Sequence, residues 1–387
     1  MTARRPARQS ASRAGPSSDA AAAPATAVGA AVSSGRRRLC AALVLSILYL
    51  VFMGAQVKSH HAGLSVPDWP LAFGSVWPIM TGGVFHEHWH RTIATGVGLL
   101  TIVVAVWTSR RESRRWVAKL AWWLLAAVVF QGLLGGLTVK QLLPPEVSAT
   151  HAGMAQTVLC LAAWLAYACS SEWARLARAA LPDAGAAEAS LAPAQRAGAT
   201  SSRDPRADAA HAHRGGSLRA ARVAAVLAMF SVYVQLALGA WMRHTEAGLA
   251  VPFFPVDGAG RLLPEVIDQA VLVHMAHRAF AVLVLLAVLR AAQVAGRVAS
   301  GLMLHAGALA ATVLLQAGLG ASVIWLKRPP ELTSLHVANG ALVLLLCWLL
   351  VLRLWRRERA ATAGSAGRDL TAGIPGHATG ERAAGPA

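Results

Sequence analysis

The feature that most limits how this chain can fold is a series of eight apolar runs. A helix needs about 20 consecutive apolar residues to cross the hydrocarbon core of a bilayer. Runs close to that length occupy residues 39–57, 89–108, 117–139, 149–170, 221–242, 269–289, 299–326 and 332–352. The pattern predicts an all-α integral membrane protein with eight transmembrane helices.

The placement of Lys and Arg predicts how these helices are oriented. The chain carries a net charge of +18, although only 14% of its residues are charged. Basic residues concentrate in segments that would all lie on one side of the membrane, namely 36–38, 110–115, 219–222, 290–297 and 353–359. The positive-inside rule then places both termini in the cytoplasm, or in the matrix of a mitochondrion. Because these residues flank apolar spans and form no single patch, no nucleic-acid partner is expected.

Residues 1–35 bear on which membrane this is. They are rich in Arg, Ser and Ala and poor in acidic residues. That composition is typical of a mitochondrial transit peptide and also of a disordered basic tail. We favour the tail, and with it the bacterial inner membrane; the mitochondrial inner membrane is the alternative.

A further constraint is an internal repeat. The phrase "AGLSVPDWP" at 62–70 returns as "AGLAVPFFP" at 247–255, which is 185 residues later. In the same way "FQGLLGGLTV" at 130–139 returns as "LQAGLGASVI" at 315–324. Each copy contains four predicted helices, an even number, so both copies insert in the same sense. The repeat therefore predicts two tandem four-helix bundles related by a pseudo-two-fold axis along the membrane normal.

The predicted organisation has five parts. They are a disordered basic tail (1–38), a first four-helix bundle (39–170), a flexible cytoplasmic linker (171–220), a second four-helix bundle (221–355) and a disordered tail (356–387). The repeated phrase opens the external loop after the first helix of each bundle. Its Gly and Pro residues predict a loop with a fixed extended course, which would cover the outer end of the bundle as a lid.

Four histidines recur at matching places and indicate a metal site. His90 and His277 open the second helix of each half, and His151 and His336 open the fourth. Zinc takes three or four protein ligands, whereas haem iron takes two axial ligands in an apolar slot between helices. The pattern predicts an iron ligated by two histidines in each half. The alternative is a set of interfacial histidines bonded to backbone carbonyls.

The residues beside these histidines extend the hypothesis. Arg91 and Arg278 follow the first histidine of each half and would pair with haem propionates or reach lipid phosphates. Glu87 stands three residues before its histidine, where the second half has His274. Only one half thus has a carboxylate on the same helix face as its histidine. A carboxylate there could take part in proton transfer, so the difference predicts one reactive haem and one cofactor haem. The alternative for Glu87 is a solvated residue at a helix start.

Gln131 and Gln316 recur inside the third helix of each half. Because an amide is costly to leave unpaired among apolar helices, they predict interhelical hydrogen bonds.

The motifs "EHWHR" (87–91), "THAG" (150–153), "HMAHR" (274–278) and "LHVANG" (335–340) give the chain a resemblance to the haem A synthase family over about residues 39–355. The family oxidises a methyl group of haem O, through a hydroxymethyl intermediate, to the formyl group of haem A, which terminal oxidases use. The resemblance implies haem b between His277 and His336, and haem O as substrate between His90 and His151. It implies a catalytic role for Glu87, in which the carboxylate would stabilise a cationic intermediate.

The resemblance also implies partners. These are haem O and the haem O synthase that supplies it, terminal oxidase assembly, an electron-transfer system that the sequence does not identify, and a homo-oligomer as an open question. Many bacterial members carry a cysteine pair in the first external loop, but residues 58–86 contain none. A thiol route for electrons through that loop is therefore not expected. Two other functions remain open, a bis-histidine b-type cytochrome and a haem transporter or chaperone; neither accounts for the contrast between Glu87 and His274.

Overall fold

The computed structural model describes residues 33–180 and 205–372. Within these ranges the chain forms α-helices and no β-strand. In chain order the helices are α1 (Ser34–Ser59), α2 (Gly82–Arg111), α3 (Arg115–Lys140), α4 (Pro145–Ala168), α5 (Ser171–Arg178), α6 (Pro205–His244), α7 (Gln269–Val298), α8 (Met303–Trp325) and α9 (Pro330–Ala372). Seven of the described helices are long and apolar enough to span a membrane, and α4 with α5, bent by 54°, makes an eighth if the pair is one span. The predicted all-α integral membrane fold is confirmed.

The helices form two closed sets. Within the first set α1 packs on α2, α2 on α3, α3 on α4 and α4 on α1; α6 to α9 pack in the corresponding order. Each set encloses its own large cluster of buried apolar residues. The two sets meet along a seam where α1 packs on α9 and α4 packs on α6 and α9. Two interiors of this kind are what a duplicated bundle would produce.

The outer faces of the helices are apolar as well. Trp123 in α3 is 70% exposed and Leu304 in α8 is 89% exposed. Large apolar side chains are rarely exposed in such numbers on a protein surrounded by water. Since every backbone group in a helix is bonded internally, these faces suit contact with lipid.

One turn occurs in both sets. After α3 the chain places Leu142 and Leu143 in the left-handed region, with φ of 61° and 62°. After α8 it does the same with Lys327 and Arg328, with φ of 60° and 64°. Side-chain-bearing residues seldom adopt this region. A Pro-Pro pair follows each time and starts the next helix, a position that tolerates proline because the first turn needs no amide donor.

The ends of several elements differ from the prediction. α1 begins inside the predicted first tail, α6 begins before the predicted end of the linker, and α9 continues beyond residue 355. Hydropathy detects only the part of a helix that crosses lipid, so the polar turns beyond it were missed. The linker was also predicted to start at 171, but α5 occupies that place, with Trp173 buried against Tyr167 and Leu352. Residues 1–32, 181–204 and 373–387 of the predicted tails and linker lie outside the described ranges, and the domain division stays a prediction.

Candidate functional site

The four predicted ligand histidines lie at one end of the helices, opposite the arginine-rich ends. Each imidazole packs edge-on against a glycine of the preceding membrane-spanning helix. A Cβ atom added to that glycine would lie 3.0 Å from Cε1 of His90 at Gly54, 2.9 Å from His151 at Gly135, 2.9 Å from His277 at Gly239 and 3.1 Å from His336 at Gly320. Carbon atoms in contact usually stand about 3.5–4.0 Å apart, so a side chain at any of these positions would require the ring to move. The four glycines therefore define four ring positions.

The structure places two of these histidines in each helix set. His90 on α2 and His151 on α4 belong to the first set, and His277 on α7 and His336 on α9 belong to the second. Across the described part of the chain, no group of three or more His, Cys, Asp or Glu side chains is arranged to hold a metal ion. Two imidazoles per site is the ligand set that haem iron uses.

Glutamine side chains hold three of the four histidines. The amide nitrogen of Gln131 donates to the backbone oxygen of His151 at 3.0 Å and lies 3.2 Å from its Nδ1. Gln235 makes the same contacts with His277, at 3.0 Å and 3.2 Å. The interhelical bonds predicted for Gln131 and Gln316 are confirmed, since Gln316 lies 3.4 Å from Nε2 of His336.

Gln235 and the four glycines were not predicted from the sequence. The signal was present as Gln-x-x-x-Gly at 131–135, 235–239 and 316–320. Residues four apart share a helix face, so the glutamine and the glycine meet the same imidazole. A glutamine that recurs four residues before a glycine would have identified, for three of the four histidines, the neighbouring helix on which the ring packs.

His90 is the exception. Leu50 stands where the other three sites have glutamine, and its backbone oxygen faces the ring. Nδ1 of His90 and Nδ1 of His336 are both buried without a hydrogen-bond partner among the described residues. Buried polar atoms normally form a hydrogen bond, so two buried ring nitrogens without a hydrogen-bond partner are unusual. An imidazole packed on glycine, with no competing carboxylate, fits an axial ligand of haem iron.

Glu87 holds the repeated loop of the first half. It is only 3% exposed, which rules out the solvated helix-start interpretation. Its Oε2 accepts from the amide of Val66 at 2.9 Å, and its Oε1 accepts from Arg91 at 2.6 Å. Arg91 also donates to the backbone oxygens of Val66 and Asp68, at 2.9 Å and 2.7 Å. The loop is thus fixed to the turn of α2 that carries His90.

The second half repeats this arrangement with a histidine. Nδ1 of His274 accepts from the amide of Val251 at 3.2 Å, and Arg278 directs its Nε to the other ring nitrogen at 3.1 Å. Arg278 also donates to the backbone oxygens of Val251 and Phe253. A neutral imidazole has one acceptor nitrogen, so His274 satisfies only one of the two donors at a time, whereas a carboxylate satisfies both. At this position the first half therefore satisfies one more hydrogen-bond donor than the second.

Two further contacts shape the first loop. The carboxylate of Asp68 accepts from the amides of Phe73 and Gly74 at 2.8 Å and 2.9 Å. These two hydrogen bonds hold the pKa of Asp68 below its ordinary value, and the bond from Gly74 has the larger effect. The indole of Trp69 packs on Gly136, where an added Cβ would lie 2.7 Å from the ring. Because Gly136 adjoins the glycine that faces His151, the loop reaches from α2 to α3 across the histidine end of the first half.

Comparison with known families identifies the group to which the chain belongs. Residues 81–348 match the COX15-CtaA family, described as cytochrome oxidase assembly protein. The match covers more than half of the chain and includes all four histidines. The chain belongs to this family.

Individual relatives agree with that assignment. A protein named Heme A synthase from Shouchella clausii is 28% identical over 261 residues, which cover 66% of this chain and 74% of the relative. A Heme A synthase from Symbiobacterium thermophilum is 28% identical over 281 residues, covering 72% of this chain and 81% of the relative. A shorter match, 32% identical over 127 residues, is to Heme A synthase of Shewanella oneidensis, covering 28% of this chain and 38% of that relative.

Proposed function

We propose that the protein is a haem A synthase. It would oxidise one methyl group of haem O, through the hydroxymethyl compound, to the formyl group of haem A for assembly of haem-copper terminal oxidases. The observation that carries the proposal is the set of two imidazole pairs, each ring seated on a glycine at the same end of the helices. The similarity to two relatives named Heme A synthase over most of their length supports the same reaction.

We assign different haems to the two halves. His277 and His336 would ligate haem b as the resident cofactor, and His90 and His151 would ligate the iron of haem O as substrate. The contacts of His90 support this division, because it lacks the glutamine that holds each of the other three rings. A ligand that must release its product at every turnover benefits from looser support than one that keeps a cofactor.

Glu87 is proposed as the catalytic carboxylate of the first half. Haem b, when bound, supplies a one-electron redox centre. The chain's own contribution is to orient the imidazoles, to keep a negative charge beside the first-half site and to exclude water with the loop that Glu87 and Arg91 hold. The second half has the neutral His274 at the matching position and would provide no such charge.

We also propose how the protein is arranged in its membrane. The two helix sets would be tandem bundles related by a two-fold axis along the membrane normal, in the inner membrane of a bacterium. Both termini would be cytoplasmic, because the arginine-rich ends face that side. A haem O synthase would supply the substrate.

Analysis of extracted haem tests the reaction. The protein is produced in membranes that make haem O but no haem A, and the haems are separated by chromatography and identified by mass. We expect haem A or its hydroxymethyl precursor. Unchanged haem O beside a fully haem-loaded protein would contradict the proposal and leave a bis-histidine cytochrome as the better description.

Two substitutions at one position separate the charge of Glu87 from its hold on the loop. Glu87→Gln keeps an oxygen for the Val66 amide but removes the charge, whereas Glu87→Ala removes both. If the charge is catalytic, both variants lose turnover while they keep haem b. If Gln retains turnover, Glu87 only positions the loop. His274→Ala, at the matching place in the second half, is the control and should retain most of the turnover.

A further inference from the structure

An excess of positive charge lies where the two helix sets meet, at the histidine end. Lys58 lies in the last turn of α1, Arg243 lies in the last turn of α6, and Arg328 lies between α8 and α9. They surround one carboxylate, Glu246, which lies 2.5 Å from Nζ of Lys58 and 3.3 Å from the guanidinium of Arg328. We call these four residues the seam cluster. Three cations against one carboxylate leave two positive charges without a counterion in the cluster.

Arg243 is the member of the seam cluster that has no ion-pair partner among the described residues. One terminal nitrogen of its guanidinium donates to the backbone oxygen of Ala55 and to Oγ of Ser59, each at 2.7 Å. Its Nε is buried and has no hydrogen-bond partner in the described ranges, and none of the carboxylates described there forms an ion pair with it. Arg243 as a whole is half-buried, but a guanidinium N–H that is buried without an acceptor is disfavoured. The contacts of Arg243 are therefore those of a site that a ligand completes.

The seam cluster adjoins the second-half histidines. Arg243 stands four residues after Gly239, on which His277 packs. Oγ of Ser59, which Arg243 contacts, lies 3.0 Å from Oγ of Ser334, two residues before His336. The unpaired charge is thus one helical turn beyond one ring and beside the other.

The arginines that the sequence analysis matched with propionates have other contacts. Arg91 and Arg278 both direct their guanidinium groups to the repeated loops. We propose that the seam cluster, through Arg243 above all, binds the two propionate carboxylates of the haem held by His277 and His336. The two negative charges of the propionates match the two excess positive charges. This inference rests on the proposed haem site, but not on the oxidation of haem O.

Esterified haem tests the proposal directly. Full-length protein in detergent micelles, carrying His151→Ala so that only the second-half pair is complete, is titrated with ferric protoporphyrin IX and with its dimethyl ester. The ester keeps the iron and the ring but has no carboxylate. We expect the free acid to bind about tenfold to a hundredfold more tightly, because hydrogen bonds between charged groups are the strong ones. Arg243→Gln should reduce this preference to near one and leave the affinity for the ester unchanged.

Further variants guard against a folding defect. Arg243→Lys keeps the charge and should retain part of the preference. Arg328→Gln should reduce it while Arg261→Gln, which removes a loop arginine paired with Asp257 and Glu265, should not. If Arg243→Gln binds neither form, the Lys and Arg328 variants decide the question, since the proposal requires both to lower the preference with ester binding intact.

Two results would overturn the inference. One is a full preference for the free acid in Arg243→Gln, which would place the propionates elsewhere. The other is no preference in the parent protein, together with thermal stabilisation by phosphatidylglycerol that depends on Arg243; the cluster would then bind a lipid phosphate. Because binding alone is measured, neither result depends on whether haem O is oxidised.

Discussion

Replacing one glycine should weaken haem binding in the first half without harming the helix that carries it. In Gly135→Ala the new Cβ would lie 2.9 Å from Cε1 of His151. A comfortable carbon contact is about 3.5 Å, so the ring must move by about 0.6 Å. Functional groups need to stay within about 0.5 Å of their working geometry. Overpacking of this size costs about 1–3 kcal/mol, which corresponds to about fivefold to 150-fold weaker binding.

Gly132→Ala is the matched control, because it lies in the same helix and an added Cβ there meets nothing within 4 Å. Alanine stabilises a helix interior by about 0.5–1 kcal/mol relative to glycine, and both variants receive that gain. Thermal unfolding of the haem-free proteins should therefore show no loss for Gly132→Ala.

The assay is titration with haem O of protein already loaded with haem b, followed by Soret absorbance. Gly135→Ala should bind haem O more weakly, while Gly132→Ala should bind it as the parent does. Equal and undiminished affinities would refute the reasoning, since His151 could then not be a ligand held in place by that glycine.

Other predictions follow from the contacts around the two sites. In Gln235→Leu the amide that holds His277 is lost, so haem b should be retained about twofold to tenfold less well and its reduced absorption spectrum should shift; an unchanged spectrum and affinity would contradict this. The lowered pKa of Asp68 means that its hydrogen bonds stabilise the loop above the ordinary pKa of an aspartate and are lost as the pH falls through the lowered value. The protection of the Phe73 and Gly74 amides, which is their exchange rate compared with that of a free chain at the same pH, should therefore fall toward acid in the parent protein. Asp68→Asn, with one neutral acceptor oxygen, should show weaker protection that does not change in this way with pH.

The candidate histidines could be selected from the sequence because the internal repeat supplied a second set of motifs for comparison. His90 alone is an ordinary residue near a helix start, and only the matching His277 makes it informative. The helices could be predicted because apolar runs of this length have few other uses. Neither prediction needed side-chain contacts.

Other features could not be predicted from the sequence, because they depend on tertiary contacts. α5 was missed because Trp173 is buried by packing on residues of three other helices, α3, α4 and α9. Glu87 was located as an asymmetric position, but its bond to Val66 depends on the loop folding back 21 residues onto α2. The charge of Arg243 became informative only when its neighbours were known, because an arginine near the end of a span normally reaches water or lipid phosphate.

The fastening of the first loop to α2 has a thermodynamic consequence. Glu87 and Arg91 lie on either side of His90, and both bind the backbone at Val66. Displacement of the loop must disturb the helical turn that aims His90, so the two equilibria are linked, and such linkage is reciprocal. Whatever His90 ligates will therefore shift residues 62–70 toward the closed position, and an antibody or peptide that binds only the displaced loop will lower the affinity at His90 by the same factor by which the ligand weakens its own binding. The position of this outer loop would then depend on whether His90 is bound to iron.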